Sequence, residues 1–284
     1  MTLLDSRRCY QALNPLHSLI YFAPEADEEL TSVGLRAGRM GYFASRSAAM
    51  GAVGAGAVAA TFFNFSPALV ARHIPQAWQL AAPATILEAR LRAVDRALRR
   101  LLGEETLADP AVAEAARLAA EAASACDAAG RPLYAAHAEL PVPEQPHLAL
   151  WHALTLLREH RGDGHVAALT AAELTGIEAL VSHTATGKAF TGEFARASRG
   201  WSQEEWDACV ERLRDRGLLD AAGAPTPRGR EQRRELEALT DTLGYAPYRH
   251  LGPAGVERLT EIAGRLTGTA LANGAFPAGV FATP

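Results

Sequence analysis

The chain has 284 residues, 49% of them apolar and 21% charged, which supplies a packed core and lacks the composition of a disordered segment. Its net charge of −4 argues against a strongly basic nucleic-acid protein, while leaving room for a local basic patch. Cys9, Cys126 and Cys209 lie far apart and form no CxxC pair, which excludes a disulfide framework or a cysteine zinc site and fits a reducing cytoplasm.

The N-terminus has no continuous apolar segment and no small-residue cleavage site, so secretion is not expected. Ser47 to Phe65 is uncharged, but it is built from Ala and Gly with no Leu or Ile. It reads as a buried helix pair rather than a membrane span. Pro15 opens a short helix, and Glu25–Val33 forms another that Gly34 closes. Ser66-Pro67 is an N-cap and first-turn pair. Ile86, Leu87, Leu91, Val94, Leu98, Leu101 and Leu102 form a helical stripe over Ala84–Leu102, ended by Gly103. Asp109-Pro110 opens an Ala-rich helix that Gly130 terminates. The three prolines of Leu140–His147 mark a linker and divide the chain into a helical domain, 1–140, and a second domain, 141–284.

His147 to His160 reads as an amphipathic helix that breaks at Arg161-Gly162-Asp163-Gly164. Shorter helical segments follow near 165–172, 176–186 and 190–196. Ser202 and Glu205 then form a capping box for a helix that buries Trp206, Val210 and Leu213 and stops at Gly217. Leu218-Leu219 reads as a short strand, turned by Asp220–Gly223, before Thr226-Pro227 caps a long helix to Leu243. The last helices, including Pro253 to Ala272, are expected to return to the N-terminal domain.

This order of helices and hairpin is that of a winged helix-turn-helix. Glu211 to Asp241 resembles the MarR-type regulators, with Gly217-Leu218 in place of their strand start and Thr226-Pro227-Arg228-Gly229-Arg230 in place of the segment that opens their dimerisation helix. Gly38–Trp78, Leu150–Leu169 and that wing together resemble a family of actinobacterial helix-turn-helix proteins labelled SalK-like. The resemblance implies an all-α fold with a small β-wing, a cytoplasmic setting and DNA as a partner, with a homodimer as the MarR-type arrangement. It names no cofactor.

Four groups of residues carry candidate chemistry. Arg158, Glu159, His160, Asp163 and His165 gather ionisable groups near two glycines and are candidates for acid–base work, with His160, Asp163 and His165 as possible metal ligands. Their spacing is not that of HExxH, and a charged helix end with Asp163 capping the next helix explains them as well. Tyr42, Phe43, Phe62, Phe63, Phe65 and Trp78 are candidates to line a pocket for a flat apolar ligand, with Tyr21, Arg46, Asn64 and His73 as its polar contacts and Trp151 and His152 as further candidates. Arg212, Arg214, Arg216, Arg228 and Arg230 are the candidate DNA contacts. Against them, Glu204, Glu205, Asp207 and Glu211 dominate the start of the presumed recognition helix, where they would repel phosphate. No P-loop, GxGxxG turn, GxSxG elbow or HExxH helix is present. The favoured function is a ligand-responsive regulator. Its rivals are an enzyme of specialised metabolism that has lost DNA contact and uses the Arg158–His165 cluster, and a small-molecule sequestering or resistance protein.

Overall fold

The computed structural model describes residues 2–188 and 190–277. The chain runs through α1 (Leu3–Ser18), α2 (Pro24–Ser32), α3 (Arg39–Ser47), α4 (Ala55–Phe62), α5 (Pro67–Ala71), α6 (Gln76–Leu80), α7 (Pro83–Leu102), α8 (Glu104–Ala108), α9 (Pro110–Ala123) and α10 (Pro132–Ala138). It continues with α11 (Pro146–Ala171), α12 (Gly176–Thr184), α13 (Gly192–Arg199), α14 (Gln203–Asp215), α15 (Pro227–Leu243) and α16 (Ala246–Ala272). Pro stands in the first turn of α2, α5, α7, α9 and α10, where its missing N–H costs no hydrogen bond.

Two compact units emerge, each drawn from separated stretches of sequence. The first contains residues 2–53, 75–164 and 241–276. Its core is aliphatic: Leu13 and Leu16 from α1, Leu98 and Leu101 from α7, Leu118 from α9, Leu154 and Leu157 from α11, and Leu259 and Ile262 from α16. Within it α16 packs on α1 and α9, while α7 packs on α2 and α3. The stripe foreseen on α7 is buried, and Gly103 ends that helix at φ 79°, a conformation that favours glycine. The second unit contains residues 54–74 and 165–240. Its smaller core joins Leu169, Leu174, Ile177, Val181, Cys209, Leu213, Leu218, Leu219 and Leu236.

The β-wing is absent: among the described residues the fold is helical, with no strand. Leu219 and Pro225 form one isolated antiparallel bridge. The reason lies in where the amides go. Leu218 N donates to Leu213 O at 2.9 Å and Leu219 N to the same oxygen at 3.3 Å, so the end of α14 consumes them. Asp220 Oδ1 accepts from Ala222 N and Ala224 N at 2.9 and 3.0 Å and curls the chain into a tight loop. Pro225 then has no N–H with which to extend a ladder.

Three local expectations also change. Helix α11 runs unbroken through Arg161–Gly164. Gly164 sits inside it because a Cβ there would lie 2.7 Å from Arg131 Nη1 and 3.2 Å from Leu243 Cβ. The Ala-rich helix α9 stops at Ala123, well before Gly130. The Ser47–Phe65 stretch is no buried helix pair: Gly51 breaks it at φ 79°, and α4 buries only Val58 and Phe62. No described helix is long and apolar enough to cross a membrane.

Candidate functional site

In the first unit, Trp151, Thr155, Arg158 and Glu159 fall on one face of α11, spaced three and four residues apart. Arg46 and Tyr42 are one turn apart on α3, and Arg90 interrupts the apolar stripe of α7. His17 lies at the end of α1, Tyr21 just after it, and His137 on α10. Apart from Thr155, these side chains form one connected cluster, buried at its centre and half-buried at Tyr21, Tyr42 and Arg158.

Arg46 Nη2 lies 3.0 and 3.1 Å from the two carboxylate oxygens of Glu159, and Arg158 Nη1 lies 3.0 Å from one of them. Arg46 Nη1 donates to the Tyr42 hydroxyl at 2.9 Å. Arg90 Nη1 donates to Ser45 O at 3.1 Å and lies 3.1 Å from His137 Nε2, with the guanidinium over the Trp151 ring at 4.8 Å. His17 stacks on Trp151 at 5.1 Å and meets Tyr21 edge-on at 5.7 Å. Tyr21 in turn meets Tyr42 at 5.3 Å and lies under both Arg46 and Arg158.

The charges do not balance. Three guanidiniums face one carboxylate. Burial alone would raise the Glu159 pKa, but Arg46 and Arg158 hold it down to about 2. Burial lowers His137 to about 4, helped by Arg90, and it drives His17 well below its ordinary range, helped by Arg158 and Arg90. Both rings are therefore neutral near pH 7 and leave the cationic excess uncompensated. A cavity of about 350 Å³ adjoins the cluster, with Tyr21, Tyr42, Ser45 and Arg90 in its wall.

The remaining candidates of the Arg158–His165 group do not converge. Asp163 does not cap a following helix. Its Oδ2 accepts from Leu133 N and Tyr134 N at 3.0 and 2.9 Å, so it caps α10, and burial pushes its pKa up to about 6. His160 is buried edge-on to Tyr134 at 5.3 Å. His165 lies 2.9 Å from the Thr240 hydroxyl, within the second unit. Among the described residues no group of three or more His, Cys, Asp or Glu side chains is placed to hold a metal ion.

The aromatic candidates are divided between the units. Tyr42, Phe43, Arg46, Trp78, Trp151 and His152 belong to the first, where Phe43 is fully buried, His152 is buried, and Trp78 Nε1 donates to Val53 O at 2.8 Å. Phe62, Asn64 and His73 belong to the second, where Asn64 O accepts from Trp201 Nε1 at 2.9 Å. Sequence reasoning missed His17, Arg90 and His137. Two of them carried a signal: His17 follows Leu13 by one turn, and Arg90 stands between Ile86 and Val94. Both are polar residues on an apolar stripe.

In the second unit, α13 ends at Gly200, whose φ of 75° is left-handed, and Gly200, Trp201 and Ser202 turn the chain into α14. Two helices joined by a three-residue turn containing Gly are a helix-turn-helix. Ser202 Oγ accepts from Glu205 N at 3.1 Å while Glu205 reaches back to Ser202 N at 2.8 Å, completing the capping box. The exposed residues of α14 include Gln203, Glu204, Glu205, Asp207, Glu211 and Asp215, with Arg212 among them. Of the candidate DNA arginines of α14, Arg214 and Arg216 are held within the unit and Arg212 is exposed. Arg216 Nη1 lies 3.2 Å from Glu178 Oε1 and Arg212 Nε 4.0 Å from it, while Arg214 donates to Asp220 O and Ala221 O. Arg230 donates to Pro225 O, and Arg228 is exposed.

A family model described as a helix-turn-helix family matches residues 6–277. Neither the curated proteins nor the solved structures give a match. A match over nearly the whole length, together with the α13–Gly200–α14 geometry, shows that the chain belongs to this helix-turn-helix family.

Proposed function

We propose that the protein is a ligand-responsive transcriptional regulator acting in the cytoplasm, with α14 as the element presented to DNA. The capped α13–turn–α14 motif carries the reading, supported by membership of the helix-turn-helix family. The likeness of Thr226–Arg230 to the MarR-type segment that opens a dimerisation helix supports a homodimer. Because Arg216 is tied to Glu178 and Arg214 to the Asp220 loop, Arg212 is the arginine of α14 left exposed, and few cations face a phosphate backbone. Two or three phosphate contacts give a log–log salt slope of about −2 to −3, shallow for a regulator.

The acidic exposed face of α14 favours a second reading, a small-molecule enzyme or sequestering protein that has left DNA binding behind. Selection of fragments from the source genome, followed by fluorescence anisotropy across a salt series, separates the two. An enriched fragment whose binding weakens in Gln203→Ala and Arg228→Ala supports the regulator. Failure of any fragment to enrich, at low salt as well as high, rejects it in favour of the second reading.

A further inference from the structure

We propose that the cavity walled by Arg90, Tyr21, Tyr42 and Ser45, which adjoins the Arg46–Glu159–Arg158 cluster, is a binding site for a small organic carboxylate with an apolar body. This names the effector class of the regulatory reading. It rests on that reading only for the link to DNA.

Charge is the first argument. An ionised group taken out of water is expensive unless it is paired, and here Glu159 pairs with Arg46 and Arg158 but not with Arg90. Arg90 is 4% exposed and makes its polar contacts to a carbonyl and to a neutral histidine. A buried guanidinium that makes no ion pair with a carboxylate lowers the stability of the fold. That cost is offset when an anion enters.

Donors are the second argument. Arg90 Nη2 and the Tyr21 hydroxyl are buried and have no hydrogen-bond partner in the protein. Both residues line the same cavity. A guanidinium and a phenol in one cavity wall supply N–H and O–H donors, a chemistry that suits the two oxygens of a carboxylate. Arg90 is fixed in place by Ser45 O, by His137 and by the Trp151 ring, so little ordering remains to be done on binding.

Shape is the third argument. At about 350 Å³ the cavity lies at the lower end of the range for ligand sites, and its wall combines apolar Ile20, Phe22, Leu30 and Ala93 with a second arginine, Arg39, and with Asp27, whose Oδ1 accepts from Gly38 N at 2.9 Å. Such a wall accepts a short alkyl chain or one aromatic ring.

The test is calorimetric titration of the full-length protein with butyrate, hexanoate, octanoate and phenylacetate. The neutral amides hexanamide and phenylacetamide, and inorganic phosphate, serve as comparison probes. We expect at least one carboxylate to bind, its amide to bind at least about tenfold more weakly, and binding to fall by about tenfold or more in Arg90→Met. Tyr21→Phe removes only the unpartnered hydroxyl, so it folds and still weakens binding several-fold. The proposal is overturned by binding of acid and amide alike, or by binding of phosphate and no carboxylate. Binding left unchanged in both variants overturns it too, as does the absence of carboxylate binding at about 10 mM. None of these readouts involves DNA, so a protein that binds carboxylates but enriches no fragment loses the regulatory reading and keeps this one.

Discussion

Arg46 and Glu159 stand 113 residues apart in sequence and meet at 3.0 Å in the interior of the first unit. Each side chain is close to fully buried, so neither recovers solvation if its partner is lost. Glu159→Gln keeps the shape and some hydrogen bonding but strips the negative charge that pairs with Arg46 and Arg158. The expected loss is about 3 kcal/mol or more, read as a lower urea midpoint at pH 7. The same carboxylate gives a pH signature. Its folded pKa of about 2 lies below the ordinary 4.5, so its contribution is full above pH 4.5 and is lost as pH falls toward 2. The gap between wild type and Glu159→Gln therefore closes over that window.

The buried histidines act at higher pH. His137 and His160 are both held at about 4, against an ordinary value of 6.5, with burial as the leading cause. The unfolded chain takes up their protons first, so stability present above pH 6.5 declines as pH falls toward 4. Asp163 works in the opposite sense. Its folded pKa is raised to about 6, which favours the folded state at low pH and penalises it as pH rises from 3.8 through 6. Two histidines outweigh one aspartate, and urea midpoints taken from pH 7.5 down to 4.5 should fall. His137→Gln and His160→Gln should each flatten that profile, and an unchanged slope in both would refute the assignment.

Two glycine substitutions should move stability in opposite directions. A Cβ on Gly229 would overlap the Leu218 carbonyl, because the first turn of α15 presses on the end of the α14 loop. Gly229→Ala should cost several kcal/mol and loosen the second unit, in the range of severe backbone clashes. Gly264 lies on the exposed side of α16 with nothing within 4 Å of a Cβ. Gly264→Ala should raise the urea midpoint, by about 0.5–1 kcal/mol, through helix propensity alone.

Elements defined by local chemistry were legible in the sequence. Ser202 and Glu205 cap α14 as their spacing implies, Gly217 takes a φ of 68°, and Thr226-Pro227 opens α15. What failed depended on distant partners. Gly162 and Gly164 look like a helix break, but Arg131 and Leu243 crowd Gly164 and call for a residue without a side chain. Leu218-Leu219 has strand composition, yet the amides of both residues are taken by Leu213 O. The candidate site was half visible. Tyr42, Arg46, Trp151, Arg158 and Glu159 were named in two separate groups, since nothing in a linear pattern joins α3 to α11. Arg90 and His17 went unnamed because a single polar residue on an apolar stripe resembles a tolerated exception.

Asp163 connects the architecture of the first unit to the proposed carboxylate site. Helix α10 begins at Pro132 behind Arg131, which supplies no side-chain cap. The amides of Leu133 and Tyr134 are satisfied instead by Asp163 Oδ2, reaching over from α11. One turn later, α10 holds His137 against Arg90, with His137 Nδ1 at 2.9 Å from Leu133 O. Asp163→Ala leaves two buried amides without an acceptor and should cost about 2 kcal/mol or more. Asp163→Asn keeps an oxygen in place and should cost less than about 1 kcal/mol, while removing the titration near pH 6. Hydrogen exchange at Leu133 and Tyr134 should quicken sharply in the Ala variant and little in the Asn variant. Once α10 loosens, His137 no longer braces Arg90, so carboxylate affinity should fall several-fold in Asp163→Ala although Asp163 does not line the cavity. Unchanged affinity in a variant whose α10 amides exchange freely would show that Arg90 needs no support from this helix.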